Sequence, residues 1–148
     1  MRALVQRVSE ARVRVDGEVI GAIGTGFLVF VGVGAGDTPD DMAYLARKVA
    51  DLRVFEDPDG RMNLALADVR GAVLAVSQFT LYGDTRKGRR PSFVGAMEPG
   101  AASAMFDQLV DAWRAAGLHV ETGRFGADMK VELINDGPVT LWIDTAAR

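Results

Sequence analysis

The sequence predicts an α+β fold, with a largely antiparallel sheet or partly open barrel packed against two main helices. Three observations favour this class. Strand-like segments outnumber segments with helical periodicity, most are joined by short turns of the hairpin type, and no repeat, low-complexity tract or linker divides the chain. A chain of 148 residues is also long enough to form one hydrophobic core. We therefore expect a single domain over residues 1–148.

The first third of the chain predicts three strands. Apolar and polar residues tend to alternate over residues 2–15, which is the period of a half-buried strand. Asp16-Gly17 is typical of a hairpin turn and leads into a second strand over 18–23. The run over 27–31 is continuously apolar, so we expect a strand buried on both faces. It leaves the predicted sheet through a glycine-rich segment, 32–36.

Two segments predict helices. Thr38 is suited to an N-cap, Pro39 to the first helical position and Asp41 to reaching back to the cap. Apolar residues then recur at helical spacing, so the first helix is expected to end near Leu52. A second apolar stripe with this spacing predicts a helix over 99–116.

The remaining strands are short. Residues 54–55 and 62–64 flank a turn, and 72–76 has the composition of another buried strand. Three more strand segments close the chain, at 118–122, 129–134 and 139–144, with Asn135-Asp136-Gly137-Pro138 between the last two.

Composition excludes several classes of catalytic site. The chain has no cysteine and one histidine, which removes thiol nucleophiles, disulfides, iron–sulfur clusters and multi-histidine metal sites. His119 lacks the G-x-S-x-G partner of a hydrolase triad, and we expect it to be a surface residue. The segment 32–36 departs from the dinucleotide fingerprint, and no P-loop motif is present. We therefore expect neither a metal nor a cofactor.

The charge is acidic overall but locally basic. The net charge is −3, which is unlike a general nucleic-acid binder. Arg86, Lys87, Arg89 and Arg90 nevertheless place four cations in one short segment. Contact with RNA phosphates and a merely solvated loop are about equally good interpretations of this segment. The chain shows no signal peptide and no stretch of membrane-spanning length, so we expect a soluble, cytoplasmic protein.

Ser77, Gln78, Phe79 and Thr80 end a strand that is otherwise apolar. Threonine and phenylalanine are good strand formers, so the segment has an ordinary structural explanation. Side chains alternate along a strand, which would point Ser77 and Phe79 away from Gln78 and Thr80. A shared pocket therefore requires a bend or bulge near this point.

Gly137-Pro138 is a second candidate site. Proline cannot donate to a sheet, and glycine adopts backbone angles closed to other residues. A trans bond is the default. A cis bond would instead leave the two carbonyls pointing the same way, as a pair of acceptors suited to an ammonium group.

Two long motifs identify a resemblance to a known family. The sequence resembles the D-aminoacyl-tRNA deacylases from its first eight residues nearly to its C-terminus, and the signature segments 77–82 and 135–140 are both present. The segments 52–57, 62–64, 88–93 and 125–129 also resemble the family. The departures are mild, namely Gly83 where alanine is more frequent and Lys130 where a neutral polar residue is common.

The resemblance implies hydrolysis of the ester that joins a D-amino acid to the terminal ribose of tRNA. It implies a homodimer with its sites at the subunit interface, where a cis Gly137-Pro138 from one subunit enters the pocket of the other and holds the substrate's α-amino group. An L side chain would clash with this backbone, whereas glycine would escape rejection, so glycyl-tRNA is an expected second substrate. By the same resemblance, Met129, Phe125 and Asn135 join Gly137 and Pro138 in substrate binding.

The chemical step has two alternatives under this resemblance, which assigns Ser77, Gln78, Phe79 and Thr80 to the catalytic set. Thr80 is the obvious nucleophile, but no base is placed beside it in the sequence. We favour attack assisted by the ribose 2′-hydroxyl, with backbone N–H groups near Gln78 and Phe79 stabilising the oxyanion. Phe79 is expected to stack on the terminal adenine, and the cations at 86–90 to approach acceptor-stem phosphates.

Without the resemblance, the sequence would fit a small interaction or RNA-binding protein with no catalytic activity.

Overall fold

The computed structural model describes residues 1–148 and confirms the α+β class. The strands are β1 (Arg2–Val15), β2 (Glu18–Ile23), β3 (Gly26–Gly32), β4 (Phe55–Glu56), β5 (Met62–Leu64), β6 (Ala72–Ser77), β7 (His119–Thr122) and β8 (Lys130–Asp144). The helices are α1 (Pro39–Asp51) and α2 (Pro99–Ala115), with short 3₁₀ turns over Phe79–Tyr82 and Thr145–Ala147. Neither α-helix combines the length and the apolar character needed to cross a membrane.

The main sheet is largely antiparallel, as the sequence predicts, but part of it is parallel. Its strand order is β2-β1-β3-β6-β7, and β8 pairs with β1 as well. Strand β1 is antiparallel to its three partners, whereas β3 with β6 and β6 with β7 are parallel. Parallel neighbours need a long crossover connection, and α1 and α2 each lie in one of these two connections.

The turn and capping signals are confirmed. Asp16 and Gly17 both have positive φ, at 50° and 79°, which is the backbone of a type I′ hairpin between β1 and β2. Thr38 and Asp41 form a full capping box at the start of α1. Pro39 occupies the first helical position beside them.

The larger hydrophobic core lies between the sheet and the two helices. Phe27 of β3 stacks on Phe55 of β4 at 5.1 Å. Trp113 of α2 is 1% exposed, and its indole N–H donates to Ala46 O of α1 at 3.0 Å, which fixes one helix against the other. Strand β1 buries alternate residues in each half, as its sequence pattern predicts, and the alternation is interrupted at Arg7 and Val8, which are both buried.

Residues 135–138, which the sequence analysis places between two separate strands, lie within one continuous strand. Residues on both sides of this segment pair with the same strand, Val8 opposite Asn135 and Gln6 opposite Thr140, so β8 is one long strand with a four-residue bulge. The side chain of Asn135 closes this bulge by accepting from Val139 N at 3.1 Å and donating to Thr140 Oγ1 at 2.9 Å. The composition is that of a turn, but continued pairing with β1 converts it into a bulge.

Candidate active site

The end of β6 contains the bend that a shared pocket at residues 77–80 requires. Ser77 is the last strand residue, and Gln78 N–H donates to Val31 O at 2.7 Å. The chain then enters the 3₁₀ turn at Phe79, whose first internal hydrogen bond runs from Leu81 N–H to Gln78 O at 3.2 Å. The backbone N–H groups of Phe79 and Thr80 precede this bond, so the turn itself leaves them without acceptors.

The glycine-rich exit of β3 makes room for this 3₁₀ turn. A Cβ on Gly32 would lie 3.0 Å from Gln78 O, and one on Gly34 would lie 2.7 Å from the Tyr82 ring. The two glycines therefore let the turn pack directly on the backbone of the neighbouring strand. The segment is thus a glycine-rich strand exit, in keeping with its departure from the dinucleotide fingerprint.

The far end of the 3₁₀ turn is fixed by a charged group and a tyrosine. Arg2 donates to Leu81 O at 3.0 Å and lies 4.4 Å over the Tyr82 ring. The Tyr82 hydroxyl donates to Asp37 Oδ2 at 3.3 Å. Burial of the ring and the charge of Asp37 raise the pKa of Tyr82 above its usual range, so the hydroxyl keeps its proton and the donated bond.

A cleft of about 610 Å³ opens beside the turn. It brings together five residues that the sequence analysis assigns to the site, namely Ser77, Gln78, Phe79, Phe125 and Met129. Eleven of its 17 lining residues are hydrophobic, which suits a nucleoside and an amino-acid side chain better than a highly charged ligand. The sequence analysis did not assign to the site Phe93, Met97, Glu98 or Ala102, which also line it. Of these four residues, only Phe93 lies in a segment that the sequence analysis names as resembling the family, residues 88–93.

Thr80 lies next to the cleft without lining it. Its side chain is exposed, and its hydroxyl accepts a hydrogen bond from the Gln78 side-chain amide. No histidine or carboxylate contacts that hydroxyl. His119 is on β7, 69% exposed and paired with Glu121 at 3.4 Å, as expected for a surface histidine. The structure therefore supplies no general base for a threonine nucleophile.

Gly137 and Pro138 lie outside the cleft of their own chain. They are exposed at the tip of the β8 bulge, and the bond between them is cis. Neither they nor Asn135 line the cleft. Arg7, only 6% exposed, holds the bulge from below by donating to Asp136 O at 3.0 Å and to Val54 O at 2.5 Å. The bulge is thus a projecting feature on a rigid base.

The basic segment is a closed loop. Asp84 and Ser92 exchange two backbone hydrogen bonds at 2.7 and 2.9 Å, which join its ends. Arg86 donates twice to the Asp84 carboxylate, at 2.9 and 2.7 Å, and this pairing lowers the pKa of Asp84 to about 2. The remaining cations, Lys87, Arg89 and Arg90, are exposed and form no ion pair. Arg86 therefore shapes the loop, whereas the other three are free to meet an anion.

No cluster of three or more histidine, aspartate or glutamate side chains is arranged to hold a metal ion.

Comparison with known proteins gives one consistent result. The family model of D-Tyr-tRNA(Tyr) deacylase matches residues 4–144. The D-aminoacyl-tRNA deacylase of Thermus aquaticus is 60% identical over 148 residues, covering 100% of this chain and 97% of the relative. That of Bacillus pumilus is 58% identical over 145 residues, covering 98% and 99%.

Two solved structures share the fold of this chain. The c-Myc DNA Unwinding Element Binding Protein superposes with a TM-score of 0.92 at 39% identity, covering 97% of this chain and 98% of its own. A probable eukaryotic D-amino acid tRNA deacylase superposes with a TM-score of 0.79 at 19% identity, covering 96% and 97%, which shows a shared fold.

Proposed function

The chain belongs to the D-Tyr-tRNA(Tyr) deacylase family and is a hydrolase of ester bonds, a D-aminoacyl-tRNA deacylase, and from this premise we propose how its site selects and cleaves the substrate. The observation that carries the proposal is the separation of two signature motifs. Residues 77–79 line a cleft, whereas Gly137 and Pro138 project from the same chain outside it. The site is then a homodimer site, in which each cleft receives the bulge of the other subunit.

Selection by chirality follows from the bulge. Its tip presents backbone carbonyls and no side chain at Gly137, so it can accept hydrogen bonds from the substrate's α-ammonium group. An L side chain would be directed into this backbone, and a D side chain away from it. The pocket therefore discriminates without recognising the identity of the side chain that it accepts. Glycyl-tRNA, which has no side chain to reject, is a second substrate.

Catalysis on this proposal relies on the RNA. The ribose 2′-hydroxyl assists the attack of water on the carbonyl of the neighbouring ester, while the cleft holds the ester in position. The bond from this carbonyl to the ribose oxygen then breaks, and the oxygen takes up a proton, which releases the D-amino acid and free tRNA. The backbone N–H groups of Phe79 and Thr80 supply the oxyanion site, because the turn leaves both without acceptors, whereas that of Gln78 is already bonded to Val31 O. The Phe79 ring stacks on the terminal adenine, and Phe125 and Met129 line the same cleft.

The remaining assignments have different roles. Asn135 contributes by closing the bulge, since both functions of its amide are bonded within it. Lys87, Arg89 and Arg90 meet tRNA phosphates. Arg86, which is paired with Asp84, contributes mainly to the shape of the loop. We place this activity in the cytoplasm, where tRNA is charged and used.

The direct test of selectivity compares two substrates that differ only in chirality. We expect the protein to release tyrosine from D-tyrosyl-tRNA and not from L-tyrosyl-tRNA, as measured by the decay of each labelled ester. Equal release from both would overturn selection by the bulge. Protection of both esters would point to a binding protein without catalysis.

Replacing Thr80 by alanine is expected to lower deacylation by less than about tenfold, because the change removes one neutral hydrogen bond worth about 1 kcal/mol. Loss of a true nucleophile costs on the order of 10⁴-fold or more. Single-turnover rates on D-tyrosyl-tRNA separate the two cases. A loss of the larger size, with the fold intact by circular dichroism, would make Thr80 the nucleophile.

Neutralising Arg89 and Arg90 together with glutamine is expected to weaken tRNA binding and to flatten its salt dependence. Each phosphate contact adds about 0.7 to 0.9 to the slope of log affinity against log salt, so the slope should fall by about 1.5. Arg47 and Lys48, exposed on α1, provide a control with the same change in net charge. If the two double variants had equal slopes of log affinity against log salt, the loop would not be part of the tRNA interface.

A further inference from the structure

Two aromatic side chains form the rim of the cleft, and the proposed function uses only one of them. The aromatic rim is Phe79 and Phe93, whose ring centroids lie 5.0 Å apart with planes at 69°. Both line the cleft, and Phe79 is 56% exposed while Phe93 is half-buried. Large exposed aromatic rings beside a binding cleft are typical of surfaces on which nucleobases stack.

The angle between the rings limits what each can bind. A flat base that lies parallel to one ring cannot lie parallel to the other when the planes are 69° apart. If the terminal base occupies Phe79, the face of Phe93 is left for a different planar group. The Phe93 ring also packs close to the backbone of Gly83, where an added Cβ would lie 3.1 Å from its Cε1.

The second ring lies between the cleft and the free cations along the chain. Phe93 directly follows Ser92, whose two backbone hydrogen bonds to Asp84 close the basic loop. Beyond this closure are Lys87, Arg89 and Arg90. Phe93 therefore joins the cleft to the base of the basic loop, the place where a single strand that enters the cleft and reaches these cations would lay its preceding nucleotide.

We propose that Phe93 binds, by stacking, the base of the nucleotide that immediately precedes the aminoacylated adenosine in the single-stranded end of the substrate. This inference rests on the proposed function and adds a second base to the recognised substrate. It makes Phe93 a substrate-binding residue with no part in the chemistry. Recognition by stacking tolerates any base, so the subsite reads the presence of a base and not its identity.

The test uses two small esters that share the same phosphate. One is the D-tyrosyl ester of the dinucleotide cytidylyladenosine, and the other is its counterpart without the cytosine base. We expect the wild-type protein to cleave the first with a kcat/KM about tenfold above the second, through a lower KM. In the variant Phe93→Leu, kcat/KM on the cytidylyladenosine ester should fall to the value that the same variant shows on the abasic ester, whereas Phe93→Tyr should keep the preference.

Val94→Ala serves as the control, because Val94 is 88% exposed, adjacent in sequence and apolar. It should leave the preference intact. An unchanged preference in Phe93→Leu, or an equal loss on both esters, would overturn the inference, the latter because Phe93 would then support the cleft or the aminoacyl group. If the wild-type protein cleaves neither ester nor D-tyrosyl-tRNA, the proposed function fails and the inference falls with it.

Discussion

Replacing Gly137 by alanine is expected to lower the rate of D-tyrosyl-tRNA deacylation by about a hundredfold, since small displacements of positioning groups have effects of that order. The φ of Gly137 is +133°, which L residues adopt only at a cost of about 1–3 kcal/mol. An added Cβ would also lie 2.9 Å from Val139 Cγ2 and 3.0 Å from an Arg7 guanidinium nitrogen. The tip of the bulge must therefore move. Single-turnover deacylation measures the effect.

Gly24→Ala is the matched control, because nothing lies within 4 Å of a Cβ at Gly24 and its φ is not in the left-handed region. It should deacylate as fast as the wild type. If Gly137→Ala kept wild-type activity, the bulge would not be part of the active site.

The same variant tests whether the site is shared between subunits. Phe79→Ala removes a ring that lines the cleft, and Gly137→Ala distorts the bulge that, on the proposed function, enters the partner's cleft. In coexpressed mixed dimers, one of the two sites then combines a wild-type cleft with a wild-type bulge. When the two variants pair at random, half of the dimers are mixed, and each mixed dimer has one intact site out of two. Coexpression should therefore restore roughly a quarter of the wild-type activity. No recovery would mean that each chain completes its own site.

Replacing Arg7 by methionine is expected to lower the free energy of unfolding by about 2–4 kcal/mol, since the change removes two hydrogen bonds from a charged, buried donor. Activity should fall as well, because Arg7 holds Asp136 O at the base of the bulge. Arg7→Lys keeps the charge, but its single nitrogen cannot reproduce the planar fork that joins Asp136 to Val54. We expect it to be intermediate in urea unfolding and in kcat.

Arg12→Met on the same strand provides the comparison. Arg12 pairs with Glu132 at 3.3 Å, but both side chains are exposed, and such pairs contribute about 0–1 kcal/mol. If the two variants were equally stable and equally active, Arg7 would have no special role in supporting the bulge.

Local sequence signals correctly predicted the features that depend only on residues close together in the sequence. The Asp16-Gly17 hairpin, the Thr38–Asp41 capping box and the alternation along β1 all occur as predicted. Each depends on residues within a few positions of one another. The bend after Ser77 was predictable on the condition of a shared pocket, because strict alternation would point Gln78 away from Ser77 and Phe79, whereas all three line the cleft.

The segment 135–138 shows why other features of the fold were not predictable from the sequence. Residues 135–138 have the composition of a turn, yet β8 continues through them as a bulge because both flanks pair with β1. That pairing joins residues more than 120 positions apart, such as Val8 and Asn135. Phe93 in the cleft and Arg7 beneath the bulge are likewise set by long-range contacts that no local pattern encodes.

The sequence by itself determined the class of fold, the absence of thiol chemistry and two signature motifs that place the chain in its family. Only the tertiary structure decided that these motifs lie apart in one chain, that Arg86 is held by Asp84 and that two aromatic rings border the cleft. Chemical identity is a property of each residue along the chain. Proximity is decided by which distant strands pair and which side chains they bury, and the site depends on both.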